Sequence, residues 1–170
     1  MIRVALALLL LLAAAAPAAA QEGFTGEYDL QLGFSDDLER AINTAVAEFN
    51  FLIRPIARSR LRKVNTPYPS LIVVEAADAL AISYDPRRPI VMPPDGTPIQ
   101  WRREDGELLS VWARRIQDML VQHFTASDGE RRNEFRRSAA GDTLYLTVTV
   151  TSPRLEQPLS YRLIYLRRNQ

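Results

Sequence analysis

Residues 143–151 alternate without a break, with Leu144, Leu146, Val148 and Val150 on one side and Thr143, Tyr145, Thr147, Thr149 and Thr151 on the other. A period of two points successive side chains to opposite faces of an extended chain, so this stretch predicts a strand with one buried face. The same period governs the chain from Ser70 onward, in short runs at 71–75, 80–84, 99–103, 108–114, 119–125, 131–137 and 159–167, with an irregular piece at 89–92. Turn chemistry separates them: Asp85-Pro86, Pro93-Pro94-Asp95-Gly96, Asp105-Gly106, Asp128-Gly129 and Gly141-Asp142. Asp-Gly between alternating runs is a strong hairpin signal. With 24–32 as a first strand, its Tyr28, Leu30 and Leu32 sharing a face, the chain carries about ten short strands at the turn spacing of a sandwich or barrel.

One segment breaks the pattern. Ser35, Asp36 and Asp37 offer helix-start chemistry with Glu39 in the first turn. Leu38, Ile42, Ala45, Val46, Phe49 and Ile53 then recur at steps of three and four, which predicts an amphipathic helix. Pro55 cannot sit mid-helix without losing a hydrogen bond, so a break is expected near Arg54. A second helical piece covers 56–63, before the turn-rich Asn65-Thr66-Pro67-Tyr68-Pro69. The expected architecture is mainly β, an antiparallel up-and-down barrel with a helix–bend–helix insertion after the first strand.

Residues 1–20 have a different character. Arg3 is followed by an apolar run from Val4 to Ala16, and Ala18-Ala19-Ala20 precedes Gln21 in the small-residue pattern that a signal peptidase cuts. The run is shorter than the ~20 residues a spanning helix needs. A cleaved secretory signal is therefore expected at 1–20 and a single domain at 21–170, in the periplasm or outside the cell, with no transmembrane segment after cleavage. Cysteine is absent, which excludes disulfides, thiolate metal sites and a cysteine nucleophile. An exported domain without disulfides suits a bacterial periplasm better than a eukaryotic secretory route.

The chain carries 21 basic and 20 acidic side chains, and loss of Arg3 with the signal would leave 20 of each. A neutral chain has no global field to steer it to nucleic acid or to anionic lipid. His123 is the one histidine, which leaves no nitrogen or sulfur partner for a zinc site, so neither metal nor cofactor is expected. No G-x-S-x-G elbow accompanies it. Asp36-Asp37 suits a helix N-terminus and Glu104-Asp105 opens a hairpin, so the paired carboxylates have structural roles before catalytic ones. No catalytic residue is assigned and an enzyme is not expected.

Two basic groups stand out. Arg54, Arg58 and Arg62 share a helix face, where like charges repel by a few tenths of a kcal/mol per pair. Acidic neighbours, the helix C-terminal dipole or an anionic ligand could each compensate. Arg131-Arg132 and Arg136-Arg137 place cations on both faces of their strand. Phe135 shares a face with Arg131, Asn133 and Arg137, and that face either lines a mixed polar cavity or forms a charged exterior.

The order of strand, helix pair and antiparallel run resembles the calycin superfamily, in particular its fatty-acid-binding-protein-like barrels. Phe24-Thr25-Gly26-Glu27-Tyr28-Asp29-Leu30 resembles the opening F-x-G-x-W-x-L, with Tyr28 in place of tryptophan. Leu120-Val121-Gln122 through Asp128-Gly129, Phe135 and Gly141-Asp142-Thr143-Leu144 resemble the late meander, and 161–167 the closing strand. The resemblance implies a barrel that holds a small apolar or amphipathic ligand. Relatives that hold a carboxylate use an R-x-Y pair on the last strand; Tyr165 matches the tyrosine, but Leu163 stands at the arginine position and Arg162 is one residue away.

These readings place Phe49, Ile53 and Ile56 on the barrel side of a helical lid and Arg58 and Arg62 at its opening. Trp112, Phe124, Tyr161 and Tyr165 are expected on the interior. The partner is a small apolar or amphipathic molecule, with an anionic lipid head group and peripheral contact with the cell envelope as variants. The alternative is a ligand-free envelope module with a solid core, whose helix pair or strand edge meets a partner.

Overall fold

The computed structural model describes residues 23–84 and 87–168. The segment read as a signal and the turn expected at Asp85-Pro86 lie outside the described residues. Ten strands follow one another: β1 (Gly26–Leu30), β2 (Ser70–Glu75), β3 (Leu80–Tyr84), β4 (Ile90–Met92), β5 (Ile99–Arg102), β6 (Leu108–Ile116), β7 (Met119–Thr125), β8 (Glu130–Arg137), β9 (Thr143–Thr151) and β10 (Leu159–Arg167). They form one antiparallel sheet in the order β4-β3-β2-β1-β10-β9-β8-β7-β6-β5. Each strand pairs with its sequence neighbour except at two places, where β1 takes β10 and a seam separates β4 from β5. A bridge between Asp95 and Arg114 crosses that seam, so the barrel is nearly closed. Both seam strands are short, three and four residues, which limits the unpaired backbone they expose.

The alternation sets the core. Leu144, Leu146 and Val148 of β9 are buried opposite Tyr165, Leu163 and Tyr161 of β10. Leu71 and Val73 of β2, Ile82 of β3, Val111 and Ala113 of β6, Leu120 of β7 and Phe135 of β8 bury on the same side. The hairpin at Asp105-Gly106 forms as its residues demand: Gly106 has φ +90°, a conformation costly to any residue with a Cβ.

One end of the cylinder is plugged by the amino-terminal arm. Phe24 is buried there, its carbonyl accepts from Tyr28 Oη at 2.8 Å, and its amide donates to the Glu75 carboxylate. Arg115 completes the plug, paired with Glu75 at 2.9 Å while its guanidinium lies 5.1 Å from the Phe24 ring centroid.

The other end is covered by α1 (Leu38–Ala45) and α2 (Arg54–Val64), inserted between β1 and β2. The strand expected to reach Leu32 stops at Leu30, and Leu32–Phe34 form a 3-10 turn that leaves Leu32 on the surface. The chain then continues along β10: Gln31 N and Asp36 N donate to Ile164 O and Arg162 O, while Ser35 Oγ and Asp36 Oδ2 accept from Ile164 N and Arg162 N. Asp37 caps α1 by accepting Arg40 N at 3.1 Å, which satisfies one orphan amide of the first turn. Ile42 and Val46 are fully buried, each worth about 1.5–3 kcal/mol by burial alone.

The helix break falls earlier than expected. The first helix ends at Ala45 with Val46 as its C-cap, and a turn segment that Asn50 helps to hold leads to α2 at Arg54. Asn50 Oδ1 accepts Leu52 N and Ile53 N, both at 3.0 Å, and Arg54 folds back to donate to the carbonyls of Ala47 and Phe49. Pro55 then sits in the first turn of α2, where its missing amide costs nothing. Among the described residues no helix is long and apolar enough to cross a membrane.

Candidate functional site

A cavity of about 1140 Å³ opens beneath the helices. Its depth is set by strand register. Phe124, Arg131 and Val150 lie side by side on β7, β8 and β9 and line its wall. One step down, Gln122, Asn133 and Val148 form a buried ring, and below that Leu120, Phe135 and Leu146 pack solid. The hollow therefore occupies only the lid end of the barrel.

Its floor is polar. Tyr84 reaches across the interior from β3, donating to Gln122 Oε1 at 2.5 Å and accepting from Asn133 Nδ2 at 2.8 Å. Asn133 Oδ1 accepts from Arg131 Nε at 2.9 Å. Arg131 Nη1 extends to the end of α2, donating to Val64 O at 3.1 Å and Asn65 Oδ1 at 3.2 Å. Asn65 also accepts from Tyr161 Oη at 3.2 Å and donates Nδ2 back to Leu61 O. Burial pushes the hydroxyls of Tyr84, Tyr161 and Tyr165 well above the usual phenol range, against the pull of Arg131. They stay neutral donors.

The walls above the floor are largely apolar. Ile90, Trp101, Leu109 and Phe124 line the barrel side, with Trp101 and Phe124 edge to face at 6.2 Å. Phe49, Ile53, Ile56, Leu61 and Val64 line the lid side. At the seam, Arg87 lies 4.9 Å over the Tyr68 ring and pairs with Glu104 at 3.3 Å, tying the loops before β2, after β3 and after β5 into one rim.

Four of the residues named from the sequence, Phe49, Ile53, Ile56 and Phe124, meet around this cavity. Tyr161 and Tyr165 face inward but lie buried behind the wall, bonded to Asn65 and to Tyr68 O. Three residues stand elsewhere, and each is a correction. Trp112 is on the outer face, because buried Val111 and Ala113 flank it and parity turns it out; it stacks on His123 with ring centroids 5.3 Å apart. Arg62 points away from the opening to Glu39 of α1 at 2.5 Å. Arg58, four residues before it, shares that side of α2, so neither guards the cavity. The rotation that sets Ile56 and Arg60 over the hollow turns Arg58 and Arg62 toward α1.

The face of β8 that the alternation left open is settled. Arg131, Asn133 and Phe135 point inward, and Arg132 and Glu134 pair with each other outside. Arg162 is exposed on β10, as its parity requires. Sequence reasoning missed Asn65, Tyr68, Tyr84, Gln122 and Asn133. A signal existed for two of them: Gln122 and Asn133 occupy core-parity positions beside Leu120 and Phe135, and a polar residue there needs a buried partner. Among the described residues no group of three or more His, Cys, Asp or Glu side chains is placed to hold a metal.

No family model matches the chain, and no curated protein matches it by sequence. Its fold, however, has close counterparts among solved structures. The "REP1-NXSQ fatty acid transporter" superposes with a TM-score of 0.56 at 13% identity, over 86% of this chain and 96% of that one. Fatty-acid-binding protein 1 of Echinococcus granulosus gives 0.55 at 12% identity, over 86% and 98%. A "secretary abundant heat soluble (SAHS) protein" from Ramazzottius varieornatus gives 0.59 at 10% identity, over 85% and 94%. The chain is thus a β-barrel of calycin-like fold, nearly closed, with two helices inserted after its first strand.

Proposed function

We propose that this chain is an exported, non-enzymatic carrier of a small amphipathic molecule with an apolar tail and an anionic head. The observation that carries this reading is the cavity: about 1140 Å³, above the ~300 Å³ at which ligand pockets begin. Ile90, Trp101, Leu109 and Phe124 offer the tail a dry wall. Arg131 offers the head a fixed cation whose bonds among the described residues use Nε and Nη1, two of its three nitrogens. Arg131 thereby takes the part that the closing strand, with Leu163 in the arginine position, does not play. The likeness to a fatty acid transporter and a fatty-acid-binding protein supports the same ligand class. Among the described residues the cavity lining holds no histidine or cysteine, which supports carriage over catalysis.

Export rests on residues 1–20, and the intact mass of the exported product tests it; a chain starting at Gln21 is expected, and one retaining those residues refutes it. Peripheral contact with the envelope is supported by the lid tip, where Phe51, Leu52, Ile53 and Ile56 are exposed beside Arg60 and Lys63.

Native mass spectrometry of the purified protein, followed by titration with a fluorescent fatty acid, tests the carrier reading. Bound lipid or a saturable response is expected. A bare chain that also ignores the probe would overturn it in favour of a ligand-free envelope module.

A further inference from the structure

The lid helix α2 has no buried residue of its own, and its face over the cavity leaves Ile53, Ile56 and Val64 partly in solvent. Its apolar hold on the barrel includes Leu61, which is only partly buried, and polar bonds near its C-terminal end, Arg62 to Glu39 among them, add to the fastening. Asn65 is the node. It is 1% exposed, caps the helix, and receives Arg131 from β8 and Tyr161 from β10. Arg131 also takes Val64 O, one of the carbonyls that a helix end leaves without an internal partner.

The same guanidinium faces the cavity. A carboxylate is a stronger acceptor than a carbonyl or an amide oxygen, and it prefers two parallel N–H groups of one guanidinium. Arg131 Nε is already held by Asn133, so the edge open to such a pairing is Nη1–Nη2, and Nη1 is the atom that fastens the lid. The head group and the helix end compete for one nitrogen.

We propose that Arg131 is a latch that couples occupancy of the cavity to the lid, so that an anionic head group which engages it loosens the C-terminal end of α2. The inference rests on the carrier reading and adds that the ligand's charge, not its tail, signals that the cavity is full. Coupling of this kind is reciprocal: whatever the head group does to the latch, the latch does to the affinity for the head group.

Hydrogen exchange at residues 54–66, read by mass spectrometry on the whole protein, tests this with two probes that share a tail, oleate and oleyl alcohol. Oleate is expected to speed exchange of the α2 amides about tenfold, the effect of losing a charge-assisted bond at a local opening site, and oleyl alcohol to leave them unchanged. Asn65→Ala removes the side-chain acceptor of the two by which the lid holds Arg131, leaving Val64 O in place, without altering the guanidinium. It is expected to bind oleate about fivefold more tightly and oleyl alcohol as before. Arg131→Met is expected to show the fast α2 exchange without ligand while β9 and β10 stay protected.

Oleate that binds, by calorimetry, yet leaves α2 exchange unchanged or slows it overturns the latch and spares the carrier. So does an Asn65→Ala variant with unaltered or weakened oleate affinity. If neither probe binds the wild-type protein, the carrier reading fails and takes the coupling with it. Normal α2 exchange in Arg131→Met rejects the latch in every case.

Discussion

Tyr84 Oη donates to Gln122 Oε1 at 2.5 Å, joining β3 to β7 although five strands lie between them along the sheet. The bond runs through the barrel rather than around it. With Asn133 it separates a packed half, next to the Phe24 plug, from a hollow half under the helices. A fully apolar interior would collapse into one core; these buried polar groups satisfy one another only when the opposite walls stand at this distance.

Removing that hydroxyl tests the crossbar. Tyr84→Phe keeps the ring but removes one donor to Gln122 Oε1 and one acceptor of Asn133 Nδ2, leaving these two bonded to each other at 3.3 Å. Urea denaturation is expected to show a loss of about 1 kcal/mol, the net worth of a buried hydrogen bond. An unchanged midpoint would mean the cavity floor does not depend on this bond.

The raised tyrosines predict the alkaline limit of stability. Burial holds Tyr84, Tyr161 and Tyr165 above the ordinary phenol value of 10.0, opposed by Arg131. Their contribution is complete below about pH 10, where unfolded tyrosines are protonated, and falls away above it as the unfolded chain ionises first. Tyrosinate absorbance from these three, read as the difference between the protein and its Tyr84→Phe, Tyr161→Phe and Tyr165→Phe variants, is expected to appear together with the loss of β-sheet circular dichroism. Tyrosinate that forms at these positions in a fully folded protein well before unfolding would contradict this.

At the opposite end of the barrel the sign reverses. Burial raises the Glu75 carboxyl, but bonds from Arg115 and the Phe24 amide outweigh it, and the net position lies below the usual carboxylate value of 4.5. The plug therefore stabilises the fold above that value and weakens as pH falls through it. Glu75→Gln is expected to cost about 1 kcal/mol at pH 7, since both partners are partly exposed, and to flatten the acid side of the stability profile. The readout is the thermal midpoint between pH 3 and 7, and equal acid sensitivity in both proteins would refute the assignment.

The lid tip makes a separate prediction. Phe51 and Leu52 are 78% and 68% exposed, too open to support the fold. Replacing both with Asp is expected to leave the melting temperature and the solution affinity for a fluorescent fatty acid unchanged. Binding to vesicles of phosphatidylglycerol, measured by co-sedimentation, is expected to disappear. Retained sedimentation would place any membrane contact elsewhere.

The legible part of this molecule was the part written in local period. The strands at 80–84, 119–125, 143–151 and 159–167 match β3, β7, β9 and β10 residue for residue, because alternation is a property of each strand's own backbone. The helix start within Ser35-Asp36-Asp37 is equally legible, and the structure selects Asp37 as the cap of α1. The spacing through Phe49 and Ile53 fits a helix, yet α1 stops at Ala45 and the turn before α2 is held by Asn50 through side-chain bonds that no periodicity encodes. Trp112 differs in another way: its strand is legible, but aromatic character alone does not fix the face, and the parity of buried Val111 and Ala113 turns it outward.

By itself, then, the order of residues determined which segments extend, where they turn and which side chains share a face. Only the tertiary structure decided which of two faces looks inward, which walls stand opposite, and that Arg131, Asn65 and Tyr84 meet although their strands and loops are far apart in the chain. The reason is physical. A side chain's direction follows from two backbone angles at its own residue, whereas a bond across a barrel depends on the register of every strand between its ends.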